Sequence, residues 1–368
     1  MVIDRRQILV CLAGALTAGC RGSDAWALAR PLRYVSCRTD MAGGASAAFF
    51  DGDGRELFST NLPSRGHDIA RRPGIHEACI FARRPGNWAI VVDAGTGDIR
   101  HTLICEPGRF FYGHGVYSPD GRLMFATESV AGQADGRIGI YDATHGYRRT
   151  GEVSSCGIGP HDIALSDDGR TLIIANGGIV TDPATGRDNI DPEGMKPSLA
   201  FVDIEGGKPE AVLVLPRELK KLSIRHLAMS RSGQVAFGCQ YEGGLDGMPP
   251  LLGIADRDGK IRMLSMPEMD LAGMENYIGS VSLDEGEEII AATSPKGGRT
   301  AFWNASTGAF IGSRRTSGAC GIAPTVRNAE FLVSSGSGGI QLMDVSTGPE
   351  GAAFLQSSVW DNHMRRMG

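Results

Sequence analysis

The sequence predicts an all-β protein, a seven-bladed β-propeller of four-stranded blades, and three observations carry that prediction. The first is a repeated string. From Cys156 the chain reads CGIGPHDIALSDDGRTLIIANGG, a His-led strand, an Asp-Gly turn and a second apolar strand. FYGHGVYSPDGRLMFATE from Phe111, RGHDIARRP from Arg65 and SIRHLAMSRSGQVAFGCQ from Ser223 repeat it. GSVSLDEGEEIIAAT from Gly279 keeps the pattern without the His, and GIAPTVRNAEFLVS from Gly321 keeps it more faintly. The second is the period. Units starting at His67, His114, His161, His226, Gly279, Ile322 and His363 recur at roughly 40–50 residues, the interval of a propeller blade, apart from a longer third interval that holds an insertion near Gly177–Pro197. The third is that the chain ends complement each other. VWDNHM from Val359 supplies only a first strand, and the segment before His67 supplies the three others.

Within the third unit, His161–Ser166 reads as the first strand, Asp167-Asp168-Gly169-Arg170 as the hairpin turn and Thr171–Ala175 as the second strand. Leu199–Ile204 and Ala211–Leu215 complete it. Third strands end in an Asp or Asn before a Gly-containing turn (VVDAGTG, IYDATHG, FVDIEGG, FWNASTG, LMDVSTG), which is ordinary turn chemistry. The segments Tyr34–Cys37, Ala45–Phe50 and Glu56–Ser59 join the C-terminal strand in the seventh blade, leaving no open sheet edge.

Residues 1–29 read as a twin-arginine signal peptide and 30–368 as one propeller domain. Arg5-Arg6 precedes an apolar run from Ile8 to Ala18 that is too short for a stable membrane span. Cleavage is expected after Ala29 or Ala27, and the alternative is lipoprotein anchoring at Cys20. The expected location is the periplasm. The near-balanced charge, formally −5, implies no nucleic-acid surface. Cys37, Cys79, Cys105, Cys156, Cys239 and Cys320 show no CxxC spacing. Their pairing in an oxidising compartment is not legible, and buried free thiols are expected for Cys79 and Cys239.

The functional signal is one repeat position. His67, His114, His161, His226 and His363 all fall at the innermost strand, on the face that also collects the long loops, around the mouth of the central channel. The blades read as YVTN- or Trp-Asp-repeat-like, and in Trp-Asp repeats a Gly-His pair there is structural. Gly66-His67 and Gly113-His114 are similar, although this chain lacks the repeating Trp-Asp pair. The competing expectation is a ligand site, since converging neutral imidazoles suit iron, copper or a haem iron. Glu128 or Asp162 would then support the ligands, Cys156 could add a thiolate, and Arg225 could hold an anionic group or a carboxylate. The Asp-, Gly- and Pro-rich insertion Asn176–Ser198, with Asp182, Asp188 and Asp191, lacks EF-hand spacing and reads as a lid over the channel.

Several strings together (FARRPG at Phe81, FYGHG at Phe111, GIGPHD at Gly157, IIANGGI at Ile173, LSIRHLA at Leu222 and WDNH at Trp360) resemble the domain of unknown function 1513 family of twin-arginine-exported bacterial proteins. The resemblance spans nearly the whole mature chain. It implies a propeller in the periplasm, encoded beside imelysin-like iron-uptake proteins and dihaem peroxidase-like proteins, and it supplies no established reaction. The family often carries His where this chain has Cys156 and Asp182, so a His-rich site here has two fewer candidate ligands. The expectation is a binding or scaffold protein linked to iron or other metal acquisition. Its alternative is a redox enzyme with non-covalent haem or a transition metal, because no CxxCH string is present. A propeller hydrolase trails both, since GxSxG and HExxH are absent and His, not acid, holds the repeat position.

Overall fold

The computed structural model describes residues 33–368 apart from 183–185, 187, 245–246, 337 and 351–357. The expected signal peptide lies outside them. Seven four-stranded antiparallel sheets form the seven blades of a propeller. The third blade shows how the repeat is built. Pro160–Leu165, Thr171–Asn176, Ser198–Asp203 and Pro209–Val214 pair in chain order from the inside outward. Each strand falls within a residue or two of its sequence-based position. In the hairpin, the Asp168 carboxylate accepts from the Ser166 hydroxyl and the Arg170 N–H, and Gly169 takes φ +69°. The Asp and Asn residues ending third strands work in the same way. Asp93 accepts from the Gly95 and Thr96 N–H groups, Asp142 from Thr144, and Asn304 from Thr307.

The seventh blade closes the ring as expected. Ser358–Arg366 is innermost, and Arg33–Asp40, Ala45–Asp51 and Glu56–Leu62 follow it outward. Register Ser36↔Met364 and a Ser36 hydroxyl bond to the His363 carbonyl at 2.6 Å join the two ends of the chain. Buried Trp360 meets Phe50 edge-on at 5.9 Å, and Phe50 stacks on Tyr34. The core lies between blades and not in one central mass. Ile163, Leu172, Ile174 and Ala200 of the third blade, for example, pack on Phe125 and Ile138 of the second. No helix among the described residues is long and apolar enough to cross a membrane.

What positions the site is a run of irregularities on the innermost strands. Each His-bearing strand shifts register at its His. The shifts lie between Gly66 and Ile69, between Phe111 and Gly115, between Pro160 and Asp162, and between Ile224 and His226. In the C-terminal strand, Trp360 faces Arg38 and Met364 faces Ser36, so four steps oppose two. Such bulges bend the strand and re-aim a side chain. Ser280–Leu283, innermost in the fifth blade, pairs regularly and carries no His.

Candidate functional site

The bulges deliver all five histidines to the axis. Neighbouring ring centroids are 4.7 Å apart for His67–His363 and His114–His363, 4.9 Å for His67–His114 and His114–His161, and 5.0–5.1 Å from His226 to His363 and His161. The histidines expected around the mouth of the central channel are packed into a closed plug. His114 is 0% exposed and His161, the most accessible, only 6%. The bulged strands approach closely enough for the rings to touch, which leaves no lumen at this level.

Carboxylates grip two of the rings from neighbouring blades. His67 Nδ1 lies 2.7 Å from Asp361 Oδ1, and His114 Nδ1 lies 3.0 Å from Asp68 and 3.2 Å from Asp162. An Nδ1–H donated to a carboxylate leaves Nε2 as the ring's remaining nitrogen, the polarity of a carboxylate–histidine–metal arrangement. Asp361 also pairs with Arg83 and Arg65, and Asp68 binds Arg365 through two bonds. Buried Asp162 accepts from the Ile163 and Leu227 N–H groups and, among the described residues, has no arginine partner. Its charge is met by those two N–H groups, by His114 at 3.2 Å and by the nearby Arg365 guanidinium.

Four imidazole nitrogens at this plug have no hydrogen-bond partner among the described residues: His114 Nε2, His161 Nε2, His226 Nδ1 and His363 Nε2. Burying so many polar atoms without partners is costly, and a concentration of them points to something they hold. Ligand atoms of His67, His114 and His161 lie within 4.8 Å of one another, as do those of His114, His226 and His363. The electrostatics split the set. Burial holds the His67 pKa down to about 4 despite Asp361, and drives His161, His226 and His363 well below the usual range. Burial also opposes charge on His114, but Asp162 and Asp68 outweigh it and raise that pKa to about 9. His67, with its Nδ1–H directed at Asp361, offers a lone pair at Nε2, and His114 gains one by releasing its proton, whereas the Arg225 N–H facing His161 Nδ1 puts that ring's proton on Nε2.

The other sequence-based candidates divide. Asp162 reaches His114, and Arg225 sits 3.3 Å from His161 Nδ1 with Glu242 on its other side. Glu128 is buried but lies among Arg109, Arg149 and Tyr141, where it holds the second blade together and reaches no histidine. Cys156 packs at the interface of the second and third blades, at φ +54°, and joins none of the metal-ligating groups. Asn176 is fully buried and ties Ser155 to Ser198. Asp191 caps Gly194, Asp182 adjoins Thr181 on the same insertion, and of these insertion residues only Asp188 lines the cavity above the plug. All six described cysteines are free. The sequence reading missed Asp68, Asp361, Arg83, Arg84 and Arg365. A signal existed, since Asp directly follows His67 and His161 and stands two residues before His363.

Among curated proteins none matches the chain. Among solved structures, hydrazine synthase of Kuenenia stuttgartiensis is similar with a TM-score of 0.64 at 13% identity, over 82% of this chain and 92% of that one. The Cps50 (Swd1) β-propeller domain of Myceliophteria thermophila is similar with a TM-score of 0.57 at 10% identity, again over 82% and 92%. At such identities the likeness is one of fold alone. The sequence family described as Protein of unknown function (DUF1513) matches residues 60–367, and the chain belongs to that family.

Proposed function

We propose that this protein is an exported, periplasmic propeller that holds one transition-metal ion in its axial histidines and serves as a binding protein in the acquisition of iron or another metal. The observation that carries the reading is the packed histidine cluster itself, in which ligand atoms of His67, His114 and His161, and those of His114, His226 and His363, lie within 4.8 Å of one another. Carboxylates behind His67 and His114 support it, because they fix ring orientation and raise ligand basicity. An all-imidazole set suits iron, copper, zinc or nickel and offers no thiolate. Rings in mutual contact suit a bare ion better than haem, since a porphyrin needs an open face beside its axial ligand. The twin-arginine pattern at Arg5-Arg6 supports export. The imelysin-like and peroxidase-like company that the family resemblance implies would supply a partner of that kind.

The test is elemental analysis and an absorption spectrum of protein exported and purified from a periplasm, repeated for His114→Ala. Near-stoichiometric metal that is lost in His114→Ala, with the fold kept, is the expected result. Metal-free wild-type protein that also fails to take up added iron, copper or zinc would sink the reading and return the histidines to a structural role.

A further inference from the structure

Above the plug lies a cavity of about 40 Å³ floored by the edges of His67 and His161 and walled by Arg83, Arg84, Arg225 and Asn362. It shares its three arginines, Gln240 and Tyr277 with a vestibule of about 890 Å³ that opens outward between the long loops, with Lys296 on its wall. Carboxylates occur in the vestibule at Asp188, Glu242 and Glu275, but none lines the small cavity beneath. Three guanidinium groups therefore converge where nothing negative lines the wall.

Their partners do not use them up. Arg83 spends one nitrogen on Asp361. Arg225 is 4% exposed, gives one nitrogen to His161 and one to Glu242, and leaves Nε with no partner. Arg84 lies against the Tyr112 ring and, among the described residues, has no carboxylate partner. Burial and the neighbouring Arg225 push its pKa down to about 10. Arg84 and Arg225 thus repel each other at the wall of one small cavity, and a guanidinium fork matches a carboxylate or oxyanion with two bonds.

We infer that this cavity is an anion site, in which Arg83, Arg84 and Arg225 receive the head of a small carboxylate or oxyanion and set it against His67 and His161. A volume near that of one or two water molecules admits the head alone. The vestibule accommodates whatever the head is attached to. This deepens the metal reading, because the anion would sit beside an ion held by the same histidines, yet the arginines stand without it.

The test is titration calorimetry of the exported protein, as purified and after chelation, with sodium acetate and with inorganic phosphate, and with methylammonium as a cationic control. Saturable binding of acetate or phosphate but not methylammonium is expected, and the preferred anion tells a carboxylate from an oxyanion ligand. Arg84→Gln should weaken it about tenfold or more without moving the thermal midpoint, and Arg84→Lys should restore part of the loss. Binding in chelated protein that contains no metal supports the anion site even if the metal reading fails. Absence of saturable anion binding in both forms, or equal affinity in Arg84→Gln, overturns it.

Discussion

At the scale of single residues, the five histidines carry opposite charge preferences, and these have a measurable signature in chelated protein. An unfolded imidazole titrates near 6.5. His67 titrates at about 4 in the folded state, so between those values the unfolded chain binds more protons and stability rises with pH. His161, His226 and His363 act in the same direction. His114 titrates at about 9, so its contribution is complete below about 6.5 and is lost as pH rises through 9. The urea midpoint, measured from about pH 5 to 10, should therefore peak near neutrality and fall on both sides. A midpoint that stays level from about pH 7 to 10 would show that Asp68 and Asp162 do not hold a proton on His114. The histidines were legible because they share a repeat position. Their carboxylate partners were not, because every pairing crosses blades. Asp361 of the seventh blade serves His67 of the first, while Asp68 of the first and Asp162 of the third both serve His114 of the second. Distance along the chain gives no hint of such neighbours.

At the scale of elements, the strands were legible almost to their ends, because apolar runs and Asp-Gly turns mark them directly. The bulges were not. A bulge shows only when two strands are laid side by side and counted, and it is the bulge that turns a ring of histidines into a packed plug. Gly113 shows how narrowly the plug is built. It takes φ +105°, and a Cβ there would stand 2.7 Å from His67 Cδ2. Gly113→Ala meets both the strain of a left-handed backbone and a ring with no room to retreat. It should destabilise the protein by roughly 1–3 kcal/mol and lower metal retention, read by denaturant unfolding and elemental analysis. Unchanged stability would mean that the strand can relax away from His67. Thus the turn-forming glycines could be read from sequence, whereas this one owes its place to a ring from the neighbouring blade.

At the scale of the whole molecule, blade count and the shared seventh blade followed from the repeat period and from the incomplete units at the two ends. The strength of that closure rests on Trp360, which is 1% exposed beneath Phe50 and Arg38. Trp360→Ala should cost roughly 3–5 kcal/mol. It should also speed unfolding, which a stopped-flow denaturant jump would read. A cost below about 1 kcal/mol would show that backbone pairing alone latches the ring. The latch strand also bears Asp361 and His363, and in chain order it comes after every other strand of the propeller. Until it docks, His67 lacks its carboxylate and the plug lacks a ring. The centre therefore cannot assemble progressively as successive blades form, and on the proposed metal reading occupancy would certify that the circle has been completed. A chain interrupted before Ser358 would keep most of its blades and still carry no mark of readiness. Quality control that sensed the occupied centre would thereby inspect the whole molecule at one point.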